Sequence, residues 1–404
     1  VGWELVDENI IINYNSKHEF MRLMLLIFLV VGLQGVALNA QENDLSGVEL
    51  SMDQDAFADA FREADTLADR NYTIGLRVGI YGAWANHVYL GLPWVRQKID
   101  GFLLDKLLER GSFIQESKSH NFVFTINGFS PSYVNDTDGA YLRDVALGYD
   151  HSLDRPFSSF TGFRASRRVQ GKKRFVHSAY TYDLAVTSSF TFGFASFGMA
   201  GGMDNWLRGD RNKATLWDRD EDKDFPTGHI MQKGLPIFMY SVSGEAVLFQ
   251  PLRKVLVQVR PEINLGYYTN VGIGVDVGKV MNVDRHVDNQ AYTDTNNPSL
   301  LSVNNDNLSF SIVGGAAVRG VLYNAHLNGL YGKSEGHFFT FKEMKKFLWE
   351  MHAGIKIQLL KKAEFTWSIT RRSAEIKGVV NRSPLWGTFA VKYLIAPEGE
   401  GCYN

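Results

Sequence analysis

From Thr73 to Tyr81 the chain alternates without a break. Ile74, Leu76, Val78 and Ile80 fall on one face, and Thr73, Gly75, Arg77 and Gly79 on the other. A period of two belongs to a β-strand with one apolar face and one polar or small face. The same grammar recurs down the chain. Val48, Leu50 and Met52 share one face of a first strand over Gly47–Met52. Strands are expected over Asn121–Ile126, Phe157–Ala165 and Ala179–Val186, the last continued by Phe190, Phe192 and Phe194. Val271, Ile273, Val275 and Val277 alternate with Gly272, Gly274, Asp276 and Gly278, and further strands start near Leu308, Ala317, Met351, Phe365 and Trp386. Val255–Val259 stops short of Pro261, which reads as a strand interruption or an edge. The final strand sets Phe389, Val391 and Tyr393 against Thr388, Ala390 and Lys392.

Two segments change period. Between Pro93 and Arg110, Ile99, Phe102, Leu103 and Leu107 recur at helical spacing among charged residues, and Gly111 follows. This predicts an amphipathic helix lying on the sheet or at a membrane surface, or else docking a partner. Thr340-Phe341-Lys342-Glu343 has capping-box spacing and predicts a short helix through Trp349. Trp206–Lys223 and the Asn- and Asp-rich stretch 281–307 read as long loops.

Roughly a dozen alternating strands with aromatics near their ends fit a transmembrane antiparallel β-barrel, because closure satisfies every backbone donor inside lipid. A soluble sandwich shows the same period. A targeting segment favours the barrel: Lys17, His18 and Arg22 precede an apolar run over Leu23–Val31, and small residues lead to Ala40. That is the layout of a secretory signal peptide, with cleavage expected after Ala40. The domain reading is therefore an upstream extension plus signal peptide over 1–40 and a single barrel over 41–404 in a Gram-negative outer membrane. The 38 glycines, 13% aromatics and only 10 prolines suit long antiparallel strands. A net charge of −2 gives no basic footprint for nucleic acid. The single cysteine, Cys402, excludes an intrachain disulfide.

Local chemistry is sparse. Asp218, Asp220, Asp222 and Asp224 alternate in one loop and read as a solvated acidic stretch or a calcium-binding one. Arg167-Arg168 and Lys172-Lys173-Arg174 read as a basic turn, available to lipid phosphates if it lies on the outer rim. No phosphate-binding glycine loop, zinc spacing or Gly-x-Ser-x-Gly element is present.

Several short motifs, in order, carry a resemblance. They are Asp69-Arg70-Asn71-Tyr72-Thr73-Ile74-Gly75; Phe124 to Asp136 through Ser130-Pro131; Asp154-Arg155-Pro156-Phe157; and Pro226-Thr227-Gly228-His229-Ile230-Met231-Gln232. Pro261 to Gly278, Tyr323–Gly329 and the closing Trp386-Gly387 follow. Over about residues 45 to 395 the chain resembles the outer-membrane lipid A 3′-O-deacylases, the LpxR-type barrels. The resemblance implies twelve strands and a site at the outer rim. There a histidine activates water against the 3′-acyloxyacyl ester, and calcium with polar side chains stabilises the oxyanion. It puts the strand-two hydroxyl on Thr73 and an Asn-Asp pair on Gln54-Asp55, with Asp55 as metal ligand; Asn43-Asp44 spells the pair earlier in the chain. It implies Arg70 and Arg155 as lipid-phosphate contacts. The family histidine precedes the Pro-x-Gly-Trp turn. Here Lys213–Asp220 holds no histidine, and His229 stands at the tryptophan position.

Two expectations follow. One is a calcium-assisted lipid A deacylase with His229 as base. The other is a barrel of the same scaffold that binds lipopolysaccharide or serves in a complex with other outer-membrane proteins. A passive pore is a third expectation, disfavoured because a narrow barrel fills its lumen.

Overall fold

The computed structural model describes residues 46–54, 74–82, 85, 91–110, 113–129, 158–174, 181–195, 236–252, 255–279, 308–329, 339–359, 363–377 and 384–395. These residues form twelve strands: β1 (Ser46–Gln54), β2 (Ile74–Tyr81), β3 (Phe113–Phe129), β4 (Ser158–Arg174), β5 (Thr181–Ala195), β6 (Pro236–Leu252), β7 (Val255–Gly266), β8 (Tyr268–Lys279), β9 (Leu308–Asn324), β10 (Phe347–Leu359), β11 (Ala363–Arg372) and β12 (Leu385–Ile395). Each pairs antiparallel with its sequence neighbours, and β1 closes on β12 from Ser46↔Ile395 to Gln54↔Gly387. Closure leaves no edge strand. Among the described residues no helix is long and apolar enough to cross a membrane.

The faces are reversed relative to a soluble barrel. Ile263, Leu265, Val271, Ile273, Val275, Val277, Ile312, Val318, Met351 and Phe389 point outward and stay exposed. Their alternate neighbours, among them Gln258, Arg260, Glu262, Asn264, Arg319, Glu350, Lys356 and Lys392, are buried in the lumen. An apolar exterior around a polar interior is the arrangement lipid demands. The chain is an integral barrel of the outer-membrane type, as the alternation predicts.

The lumen is filled by ion pairs that run from strand to strand. Glu350 takes Arg319 Nη1 at 2.7 Å and Arg372 Nε at 2.9 Å, and Arg319 also donates to Glu262. Arg260 Nε lies 3.1 Å from Asp276, with His352 Nε2 at 3.4 Å on the other carboxylate oxygen. Arg168 meets Glu245 bidentately at 2.9 and 2.8 Å, and Lys356 meets Glu364 at 2.8 Å. Each of these charges meets an opposite charge on an adjacent or next-but-one strand, which offsets the cost of burying it.

Above this belt an apolar cluster, here called the plug, packs inside the barrel near the rim where β9 ends. Phe160, Ile237, Met239, Tyr267, Leu327, Phe339, Met344 and Leu348 are buried together. Its floor is the glycine pair Gly162↔Gly193. A Cβ added at Gly162 would strike the Phe192 carbonyl, Gly193 Cα at 2.6 Å and the Phe160 ring at 2.7 Å. Gly162→Val is therefore expected to cost about 1–3 kcal/mol through overpacking, read as a lower urea midpoint of the folded barrel.

Three local expectations need correction. The basic turn is strand: Arg167 and Arg168 lie inside β4 and point to opposite faces, Arg168 into the lumen and Arg167 outward. Pro261 does not interrupt β7; it pairs with Ile273 of β8. On the β6 side the ladder steps from Ser243↔Glu262 to Ala246↔Val259, so the missing N–H costs nothing there. Thr340 and Glu343 do bond, the Thr340 N–H donating to Glu343 Oε2 at 2.6 Å, but a single turn forms. Chain pairing through Met344↔Ile376 and then β10 takes over before a helix can grow.

The predicted amphipathic helix is present as α1 (Leu92–Leu103) and α2 (Asp105–Arg110), and it lies against the outside of the barrel wall. Its face toward the wall carries polar as well as apolar residues. Leu92, Pro93, Arg96 and Asp100 are buried, while Phe102 and Leu103 are exposed.

Candidate functional site at the barrel rim

The resemblance concentrates its site at one rim, and the strand order shows which parts of the chain meet there. β1 ends at Gln54, beside Gly387, and Asp53 sits opposite Gly75 of β2. Thus the end of β1, the start of β2 and the Trp386-Gly387 strand are immediate neighbours. β3 ends at Phe129 opposite Ser158, and β5 ends where Phe194 faces Pro236 of β6. The three connections 55–73, 130–157 and 196–235 therefore leave from adjacent strands of the same rim.

Asp55, Arg70, Thr73, Arg155 and His229 fall in those connections and lie outside the described residues. The backbone of Gln54 closes β1. The acidic run Asp218–Asp224, Asn43-Asp44, the segment 1–40 and Cys402 also lie outside the described residues.

The described floor of this rim is charged next to β1 and apolar further round. Asp53 is buried and faces the lumen, where Arg77 of β2 pairs with it. The alternation of β2 forces this contact, since Arg77 and Gly75 share the inward face. Further round, α3 (Ala325–Asn328) follows β9. Asn324 caps it by accepting from the His326 N–H at 3.1 Å. Asn328 holds the return chain, donating to the Phe339 carbonyl at 2.8 Å. Tyr323 OH donates to the Gly329 carbonyl at 2.5 Å, and Gly329 takes φ 77°, a left-handed value suited to glycine. Buried His326 sets its ring edge-on to Tyr267 at 5.8 Å. So the Tyr323–Gly329 motif is a structural clasp over the plug. Its histidine is packed beneath the rim rather than aimed at it.

Among the described residues no group of three or more His, Cys, Asp or Glu is placed to hold a metal ion. Asp53, the described carboxylate beside Gln54, is neutralised by Arg77. The floor therefore makes no calcium cradle, and any such cradle must draw on the connections above it.

One polar cluster escaped the sequence reading. On the outer wall, buried Asp100 accepts from Ser188 Oγ at 2.9 Å and Tyr240 OH at 2.8 Å, with Arg167 Nε at 3.2 Å and Arg96 Nε at 3.5 Å. Arg167 also binds Asp105 of α2. Burial pushes the Arg96 guanidinium down to about 10, with Asp100 opposing the shift. Arg96 stays charged at neutral pH, so the contact is ionic. The available signal was Arg96 and Asp100 at i,i+4, one face of the helix.

No protein-family model matches the chain. No curated protein matches it in sequence. Among solved structures the chain is similar to LpxR from Salmonella typhimurium, at 15% identity and a TM-score of 0.54, over 86% of this chain and 99% of that one. The chain has an LpxR-like barrel fold. At that identity the likeness is one of fold. A bacterial polysaccharide outer membrane secretin matches over 88% of this chain and all of its own, at 8% identity and a TM-score of 0.31. Outer membrane phospholipase A from Escherichia coli matches over 87% and 92%, at 10% identity and a TM-score of 0.27. Scores that low carry no argument about this LpxR-like barrel.

Proposed function

We propose that this LpxR-like barrel hydrolyses the 3′-acyloxyacyl ester of lipid A at its outer rim, with calcium as cofactor. The observation that carries the reading is that an LpxR-like barrel gathers the motif blocks at one rim. The barrel follows LpxR over 99% of that chain, and the motif blocks around Thr73, Arg155 and His229 fall in three adjacent connections of one rim. A filled, ion-paired and plugged lumen also suits a scaffold for rim chemistry better than a conduit.

In this reading His229 takes the proton from water as it attacks the ester carbonyl, and Thr73 donates to the developing oxyanion. Arg70 and Arg155 hold the phosphates of lipid A. Asp55, with Gln54 next to it, would hold the calcium ion, which would supply positive charge to stabilise the oxyanion.

The second reading keeps the scaffold without the reaction: a lipopolysaccharide-binding or structural subunit of an outer-membrane complex. The absence of histidine from Lys213–Asp220 favours it. Lipid A extracted from outer membranes carrying the barrel separates the two. Hydrolysis predicts a mass loss equal to the 3′ chains when calcium is present and none after chelation. An unchanged mass under every calcium condition refutes hydrolysis. In that case lipopolysaccharide retained through purification, and lost on Arg70→Ala with Arg155→Ala, supports the binding reading.

A further inference from the structure

We propose that α1–α2 is an in-plane membrane element that embeds its apolar face in the leaflet on the side of the chain termini. Its ligand is an anionic phospholipid surface.

The side follows from topology. The segment joins the end of β2 at Tyr81 to the start of β3 at Phe113. That is the end where β1 begins, β12 finishes and the brief connections 175–180, 253–254 and 360–362 lie. Short turns mark the periplasmic end of such barrels. The depth follows from packing. Ala85 and Leu92 lie against Ile80, one residue from the end of β2, and against Phe122 and Ala165 beside it. The helix therefore starts at the level where the wall of β1 and β2 stops.

The orientation follows from charge. His120, Arg167, Ser188 and Tyr240 lie on the outward face of β3–β6, where polar and charged side chains are costly in lipid. Here Arg96 and Asp100 cover them. Asp100 has no exposure and meets Ser188, Tyr240 and Arg167, while Arg96 lies 3.4 Å from the His120 ring nitrogen. The helix spends its polar face on the wall, so its other face must meet the surroundings. That face carries Trp94 at 62% exposure and Phe102 at 71%, with Leu103 beside them. Lys98 lies 5.8 Å above the Trp94 ring and Lys106 lies 5.5 Å above the Phe102 ring. Rings flanked by long cationic stems match the boundary between acyl chains and headgroups, where lysine keeps its ammonium in the polar layer.

The test uses the full barrel in vesicles of phosphatidylethanolamine and phosphatidylglycerol. An environment-sensitive fluorophore is attached at Phe102→Cys in a Cys402→Ser background, with Ile273→Cys as the lipid-facing reference. The expected result is blue-shifted emission, quenched several-fold more by nitroxide lipids labelled near the headgroup than by aqueous iodide. Quenching by iodide alone places the face in water and overturns the proposal. Protection from both quenchers means that a protein covers the face, which also overturns it. Ser188→Ala, a milder change than loss of Asp100, is expected to raise iodide access at position 102 in a barrel that still folds. No change would show that the Asp100 cluster does not hold the helix down.

Discussion

Replacing Glu350 with alanine is expected to destabilise the folded barrel by about 3–5 kcal/mol, the cost of breaking a buried ion cluster by removing one partner. Glu350 is the carboxylate shared by two guanidiniums, Arg319 at 2.7 Å and Arg372 at 2.9 Å, and it is 2% exposed. Arg319 keeps Glu262, and Arg372 keeps Glu375 at 3.6 Å, so the cluster would be left with two guanidiniums around an empty centre. The measurement is the urea-unfolding midpoint in detergent micelles, followed by tryptophan emission. Glu350→Gln keeps the volume and one acceptor and should fall between the two. A triple change of Glu350, Arg319 and Arg372 to apolar residues of similar size should cost far less than the sum of the single changes, because no charge is stranded. A loss below about 1 kcal/mol for Glu350→Ala would place the cluster among ion pairs that water still screens.

The second large effect concerns the proposed reaction. Where the barrel removes the 3′ chains of lipid A, His229→Ala is expected to slow that removal by about 10²–10⁴-fold, the usual contribution of a positioned general base. The readout is the rate of lipid A mass change in calcium-replete membranes, with barrel abundance matched by immunoblot. Thr73→Ala, which removes one oxyanion donor, should cost about 10²–10³-fold. Full activity in His229→Ala with loss in Thr73→Ala would keep the rim chemistry and assign the base to another residue. The two substitutions change connections rather than strands, so the folded barrel should keep its gel mobility in both.

The fold was legible because a barrel in lipid repeats one rule at every strand. Alternation such as Ile74/Leu76/Val78/Ile80 against Gly75/Arg77/Gly79 carries the face assignment in each short window, and it needs no long-range information. Strand ends were less legible. Asn121–Ile126 is only the centre of β3, and the basic end of β4 does not read as strand. At the end of β4 the charges are taken by partners elsewhere in the fold, one on β6 and one on α1. Arg168 depends on Glu245, and Arg167 on Asp100, residues far away in sequence. The helix over 92–110 was legible as a helix but not in its orientation. Moment and spacing identify an apolar face; they do not say that the medium outside a barrel is lipid, which draws that face away from the protein.

By itself the sequence determined an all-β barrel of roughly a dozen alternating strands, the faces of the strands it located, and the ordered motifs that point to the rim, although it missed β6 and split β9 at Ala317. These depend on local periodicity and on short contiguous patterns. Only the tertiary structure decided that three motif-bearing connections share one rim, that Asp53 is neutralised by Arg77, and that ion pairs line the lumen. It also decided that a helix carries its polar residues toward the wall. Each of these depends on which charge meets which across strands, and closure of the barrel sets those meetings.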